Sequence, residues 1–322
     1  MEVGYVKESN VIVNGREIKL SNLDKEFWPD AGLKKAHLIK YYSDMATHIL
    51  PYLKNRPLVM KRYPDGIEDF FFYQKECPSY APDWVESFSV KHTRKIVNYI
   101  ICNDSAILIW LANQGCIEMH AWLSTIGNLD FPDLAVMDLD PAEGTDFSDV
   151  VQVALLVKKA FMYYDLTSFV KTSGSSGLHI FVPIRPVLSF NEVTECMKII
   201  AASVVKAYPE KATIERSVAK RYGKVYLDYL QNGRGKTMAF PYSLRPLPGA
   251  PISTPLRWEE VPDLASSSAY VMSTIKNRLH GLKDDPWEGM LTKKQDLGEL
   301  GKTVSAPKYK SIAGNSNRIQ KT

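Results

Sequence analysis

The stretch that most constrains this chain is Leu134–Pro141, which reads LAVMDLDP. Four apolar residues run into Asp138, Leu139 and Asp140, and Pro141 stops the run. Side chains alternate along a strand, so Asp138 and Asp140 share a face while Leu139 turns back into the core. Two carboxylates side by side at the end of a buried strand repel each other. A divalent cation between them removes the repulsion, and hard oxygen ligands suit Mg²⁺ or Mn²⁺. A solvated turn is the plainer alternative, because Asp and Pro are ordinary turn residues.

The surrounding chain has to separate these readings. Its 322 residues suffice for one large domain or two ordinary ones. Composition is that of a soluble globular protein, with 45% hydrophobic and 24% charged residues. A net charge of +4 permits a nucleic-acid partner, but any basic footprint must come from local clustering. Cys77, Cys102, Cys116 and Cys196 form no C-x-x-C pair, which argues against disulfides and a zinc site and for a reducing compartment. No run approaches the roughly 18 apolar residues of a membrane span, and the first residues lack a signal-peptide core. A cytoplasmic protein with no membrane partner is expected.

In chain order, residues 1–20 alternate around Asn14-Gly15, a hairpin turn. Leu38, Tyr41, Tyr42, Met45 and Ile49 then recur at helical spacing. Lys25, Lys34 and Lys35 lie near that helix start, either as solvated surface lysines or as an anion site with the helix N-terminus. PLVMKRY (57–63) reads as a strand ending in Lys61 and Arg62. FFFYQK (70–75) is either core or an aromatic face for stacking bases, flanked by Arg62 and Lys75. Residues 104–126 read as a helix or strand pair leading to His120. A Ser-capped helix over 148–166 follows the aspartate strand, predicting a β-α-β crossover to LHIFVPI.

TSGSSG (172–177) precedes that strand. It is either a plain Gly/Ser turn or a loop whose amides approach phosphate. His179 follows inside the apolar strand, with Leu178 and Ile180 on the opposite face, where a satisfied core histidine is the plainer reading. A capped helix covers 189–207. VYLDYL then places a third acid, Asp228, among apolar neighbours, where an unpaired carboxylate costs several kcal/mol. A metal or a basic partner is therefore expected for it. Lys220, Arg221, Lys224, Gln231, Asn232, Arg234, Lys236 and Arg245 flank it with cations and amides, suiting an anionic substrate held by metal. A helix is expected over 266–282, and the polar, basic segment 301–322 reads as a flexible tail.

With D-L-D-P, S-G-S-S-G-L-H and Y-L-D-Y-L-Q-N in this order, the sequence closely resembles the polymerase domain of bacterial ligase D, in the archaeo-eukaryotic primase superfamily. LSNLDKEFWP, IEMHAWLS and NGRGKTMAFPYSLRPLPGAPISTPLRW support it, over roughly residues 10–300. No ligase or nuclease module is recognised, so a stand-alone form is expected. The resemblance implies nucleotidyl transfer with two ions, Mn²⁺ or Mg²⁺, held by Asp138 and Asp140 with help from Asp228. It implies that His120, Ser173, Ser175, Ser176, Gly177, His179, Arg221, Gln231 and Arg245 hold the incoming NTP or dNTP. Asn22, Lys25 and Lys35 would grip a DNA 5′-phosphate, and Arg62, Phe72 and Tyr73 would orient template and downstream strand. Ser176 stands where relatives often carry lysine, a loss that either weakens triphosphate contact or is offset by Lys220 or Lys224.

The expected fold is a single α/β (α+β) domain over residues 1–300, a primase-type core with a mixed, antiparallel-rich sheet flanked by helices. The expected function is template-directed gap filling and end extension in non-homologous end joining, favouring ribonucleotides. Its partners would be DNA ends and gaps with a 5′-phosphate, a separate DNA ligase and Ku, in a prokaryotic, nucleoid-associated setting. A primase starting chains de novo and a non-catalytic DNA-end bridging module are the rivals; bridging has no use for three acids in one cleft.

Overall fold

The computed structural model describes residues 8–305. Alternating and β-rich runs, separated by Gly, Pro and Asp turns, form two principal sheets. The larger has six strands in the order Ala212–Thr213, Val225–Asp228, Leu134–Pro141, Leu178–Pro183, Phe169–Thr172 and Pro255–Leu256. The smaller has four: Thr237–Ala239, Cys116–Trp122, Leu58–Arg62 and Phe72–Gln74. Within these two sheets, only the pairing of Ala212–Thr213 with Val225–Asp228 is parallel.

Alternation decides what each face of the larger sheet carries. Ala135, Met137 and Leu139, with Leu178, Ile180, Val182 and Val170, pack against the helices Phe147–Tyr163 and Phe190–Ala207. Those helices contribute Val150, Val153, Val157, Phe161, Val193, Met197, Ile200 and Val204. Each such side chain is worth about 1.5–3 kcal/mol when fully buried. On the opposite face, Leu134, Val136, Phe169 and Phe181 join a second core that includes the smaller sheet and the helices Lys35–Asp44, Ala46–Leu53 and Ser105–Asn113. The next positions on that same face are Asp138, Asp140, His179 and Lys171. There the apolar filling gives way to polar side chains.

Several local expectations hold. Asn14 and Gly15 both take positive φ between paired strands Ser9–Val13 and Arg16–Leu20, as a tight hairpin requires. The 190–207 helix is capped by Ser189 and Glu192 in a reciprocal capping box. The 35–53 helix breaks at Met45, yet all five of its expected apolar positions are buried.

Others are corrected. The crossover from the aspartate strand does not lead to LHIFVPI, because Phe169–Thr172 intervenes. The hairpin from it inserts Leu178–Pro183 between Leu134–Pro141 and Phe169–Thr172, antiparallel to both. The 147–163 helix has Asp146, not Ser148, at its N-cap position. The VYLDYL strand stops at Asp228, because Asn232 takes over its neighbour. The Asn232 amide bonds both the N–H (2.8 Å) and the C=O (2.7 Å) of Val136. The helix expected over 266–282 forms only at Ile275–Gly281. Upstream, Ser267 donates to the Gly177 carbonyl (2.6 Å) and Tyr270 accepts from Ile252 N–H, which holds that segment in turns. The helix Gly298–Ser305 runs past the expected boundary at residue 300, and residues 306–322 lie outside the described residues. No helix among the described residues is long and apolar enough to cross a membrane.

Candidate active site

Strand register brings the acids together. Asp138 pairs with Asp228 on one side and His179 on the other, and His179 pairs with Lys171. Directly opposed residues share a face, so Asp228, Asp138, His179 and Lys171 form one row across four strands, with Asp140 one step along. His120 approaches from the smaller sheet, beside Met238 and Ala239. The two sheets enclose a polar cavity of about 180 Å³. It is lined by His120, Asp138, Asp140, Ser173, Ser175, Ser176, His179, Gln231, Thr237, Met238, Ala239 and Arg245.

The electrostatics are strained around the acids. Burial, then the charges of Asp140 and Asp228, push the Asp138 carboxyl well above the usual range, against Lys171 and Arg245. Burial and Asp228 also raise Asp140, against Arg221 and Arg245. Asp138 Oδ1 is buried without a hydrogen bond, and His179 Nε2 stands 3.3 Å from it. A divalent cation would supply the partner this oxygen lacks, and the donor set is of the hard-oxygen kind. Asp138 and Asp140 therefore fit such an ion as they stand. Asp228 is held differently. The hydrogen bonds it accepts come from neutral groups rather than from a basic side chain. Its carboxylate accepts from Tyr226 OH (3.3 Å), Leu230 N–H (3.0 Å) and Gln231 Nε2 (3.0 Å). Among the described residues no three His, Cys, Asp or Glu side chains converge in the geometry of a metal cage.

His179 is neither a passive core histidine nor exposed. Its Nδ1 meets Lys171 Nζ at 2.8 Å, and Lys171, whose own pKa is pulled well down by burial and then by Arg245, also bonds Ser253 Oγ. We assign the ring proton to Nε2, facing Asp138. Burial, then Lys171 and Arg245, pull the His179 pKa well down, keeping the ring neutral.

The Ser/Gly loop is built by its own side chains. Ser173 Oγ accepts from the N–H groups of Ser175 (3.1 Å) and Gly177 (3.0 Å). Gly177 does not reach the cavity wall. Its role is close approach, because a Cβ there would lie 1.7 Å from the Leu139 carbonyl oxygen. Arg221 also lies outside the lining; it stacks 3.5 Å over the Tyr226 ring and donates to the carbonyls of Glu215 and Arg216. It still bears on the acids through its charge at Asp140.

A second polar pocket, of about 200 Å³, gathers Asn22, Lys25, Lys35 and Arg62 with Asn113, Gln114 and Gly115. Burial, then Lys25 and Arg62, lower the Lys35 pKa to about 8. The helix N-terminus contributes no free amide at Lys35 or Ala36, whose N–H groups are taken by the carbonyls of Lys25 and Leu23. Lys34 turns instead toward Asp24, 3.6 Å away. Between the pockets runs Phe72–Gln74. Phe72 lies against the Arg62 guanidinium (5.3 Å), while Tyr73 meets the His120 ring edge-on (6.2 Å). Phe70 and Tyr73 are 75% and 58% exposed, so this aromatic run is surface rather than core.

Sequence reasoning missed Lys171 and Glu118, both buried in apolar strands. The signal was present: each is a charged residue at the face position of FVKT or CIEMHAW, the pattern that drew attention to Asp228.

By shape, this chain is a primase-type polymerase domain. It superposes on the polymerase domain of Mycobacterium tuberculosis ligase D, solved in complex with DNA, with a TM-score of 0.80 and 29% identity. That match covers 86% of this chain and 99% of the other. A family profile described as "LigD, primase-polymerase domain" matches residues 34–287, and the chain belongs to this family. The bifunctional non-homologous end joining protein LigD of Bacillus subtilis is 34% identical over 265 residues, 82% of this chain. The multifunctional LigD of Mycolicibacterium smegmatis is 33% identical over 248 residues, 76% of this chain. The chain spans only 42% and 32% of those relatives' lengths.

Proposed function

We propose that this chain is a template-directed nucleotidyltransferase that fills gaps and extends DNA ends in non-homologous end joining. The observation that carries the proposal is the row of three carboxylates opening on a cavity with cationic walls, set beside a separate pocket of three basic residues. A terminal-phosphate pocket has no use in a polymerase that ignores DNA ends, and an end-binding module has no use for the acids.

Asp138 and Asp140 would hold two divalent ions, Mn²⁺ or Mg²⁺, with Asp228 joining as Gln231 releases its Oδ2. When bound, these ions would lower the pKa of a primer 3′-hydroxyl and neutralise the triphosphate and leaving pyrophosphate. Arg245 and the Ser175 and Ser176 side of the loop face the space for phosphate oxygens. Ser173 shapes that loop, and His179 offers its Nε2–H beside Asp138. His120 and Gln231 border the same space, and Arg221 adds charge from outside. Asn22, Lys25 and Lys35 would take a 5′-phosphate across the gap, with Arg62, Phe72 and Tyr73 orienting the strands by stacking and charge. Ribonucleotide preference, action at the nucleoid, and a separate ligase and Ku as partners belong to the same reading.

Primer extension on a gapped duplex with Mn²⁺ tests it. Wild type should extend, more strongly with a 5′-phosphate and with ribonucleotides, and Asp138→Ala should not. Tight binding of the phosphorylated gap without extension under either metal would leave only end bridging.

A further inference from the structure

Glu118 is 1% exposed and fully committed. In register it pairs with Lys61, and Lys61 pairs with Tyr73, so Tyr73, Lys61 and Glu118 form a row across the smaller sheet. Lys61 Nζ donates to Glu118 Oε1 at 2.7 Å and lies 4.6 Å from the Phe71 ring centroid and 5.7 Å from that of Tyr73. The other oxygen, Oε2, meets His120 Nε2 at 2.9 Å and Arg245 Nε at 3.4 Å. Arg245 Nε is buried with no hydrogen bond of its own, so the nearby carboxylate is what compensates its charge. Burial pushes the Glu118 carboxyl up, but His120, Arg245 and Lys61 overcome that and hold it at about 2.

A carboxylate that merely tied two strands together would need one partner. This one touches two residues of the cavity wall and the lysine beneath the exposed aromatic face. We infer that Glu118 is a positioning residue: it aims His120 and Arg245 at the nucleoside triphosphate and, through Lys61, fixes them relative to the Phe71 and Tyr73 surface. The inference rests on the polymerase reading above and deepens it.

The test is steady-state extension on a saturating phosphorylated gap, reading KM for the ribonucleotide and kcat separately. Glu118→Gln keeps the shape and removes the charge. It should raise KM about tenfold, the loss of one charge-assisted hydrogen bond, while kcat changes much less. Affinity for the phosphorylated gap should change much less than KM, because Asn22, Lys25, Lys35 and the Phe71 and Tyr73 rings all remain. In a His120→Ala background, Glu118→Gln should raise KM by a smaller factor than in wild type, because part of its effect passes through that ring. Unchanged KM, or equal loss of nucleotide and DNA binding, overturns the inference. If Glu118→Gln does not fold, Glu118→Asp, which draws the charge back by one methylene, is read by the same criteria. Wild type that extends nothing would overturn the polymerase reading itself.

Discussion

Asp138→Asn should stabilise the metal-free protein while abolishing extension. Cross-strand pairing puts the Cβ atoms of Asp138 and Asp228 about 5 Å apart. Asp140 lies two residues along, about 7 Å away. At an effective dielectric of about 20, each repulsion is worth about 2–3 kcal/mol between full charges. Protonation relieves it at a cost with a ceiling. A carboxyl that takes up its proton on folding at pH 7 forfeits about 1.4 kcal/mol per unit above an unfolded value near 4, about 4 kcal/mol in all. Lys171 and Arg245 offset part of this. Asparagine keeps the shape, and its Oδ1 still faces His179 Nε2–H. A net gain of about 2 kcal/mol is expected, or about 3 °C in Tm for a chain of this size.

The assay is thermal unfolding in chelator and in Mn²⁺, across pH. A folded pKa raised above the unfolded value makes the wild type lose stability as pH rises from about 4 through the folded pKa, so the mutant's advantage should shrink on acidification toward pH 4. Mn²⁺ at a hundredfold over its Kd should stabilise wild type by about 2.7 kcal/mol and the mutant by much less. A mutant less stable than wild type by about 1 kcal/mol or more in chelator at pH 7 would refute the reasoning.

Three further outcomes follow from the same geometry. Lys35→Met should remove most of the preference for a 5′-phosphorylated gap. In wild type that preference should fade as pH rises through about 8, where Lys35 loses its charge; competition binding with and without the phosphate measures both. Phe71→Ser and Tyr73→Ser should leave Tm nearly unchanged, because both rings are exposed, yet weaken gapped-DNA binding by about 1–3 kcal/mol each. Gly177→Ala should destabilise by about 3 kcal/mol or more and impair extension, because the added methyl collides with the Leu139 carbonyl between the two acids; denaturant melts and primer extension read the two effects.

How legible the site was depended on whether its geometry was local. Asp138, Asp140 and His179 were readable because a two-residue period alone fixes which face they take. Asn22, Lys25 and Lys35 share one pocket, as the resemblance implied, and Arg62, expected with Phe72 and Tyr73, lines it too, although nothing in their spacing shows that residues 22–35 fold against residue 62. Gly177 and Ser173 were read as phosphate contacts; Ser173 lines the cavity while its Oγ also braces the loop, and Gly177 stands off the wall in a close approach to the Leu139 carbonyl. Asp228 was expected to join a metal or a basic partner, and the sequence did not show that a tyrosine, a glutamine and a backbone N–H also reach it. Those donors become neighbours only because the strand ends there. The missing strand Phe169–Thr172 is four residues long, too short for alternation to announce itself. With it went the direction of Leu178–Pro183.

Lys61 and Arg62 are chain neighbours, yet Lys61 leans toward Glu118 and Arg62 into the basic pocket. The register with Cys116–Trp122 slips between them, Lys61 facing Glu118 and Arg62 facing Cys116. Glu118, which touches the wall of one recess, and Arg62, in the wall of the other, are thus linked through Lys61 by one peptide unit and a bulge. Two sites on separate segments would breathe independently, and a DNA gap of any width could find a fit. On the gap-filling reading proposed above, a gap one nucleotide too long would have to deform itself, because the protein's link between the two recesses is covalent.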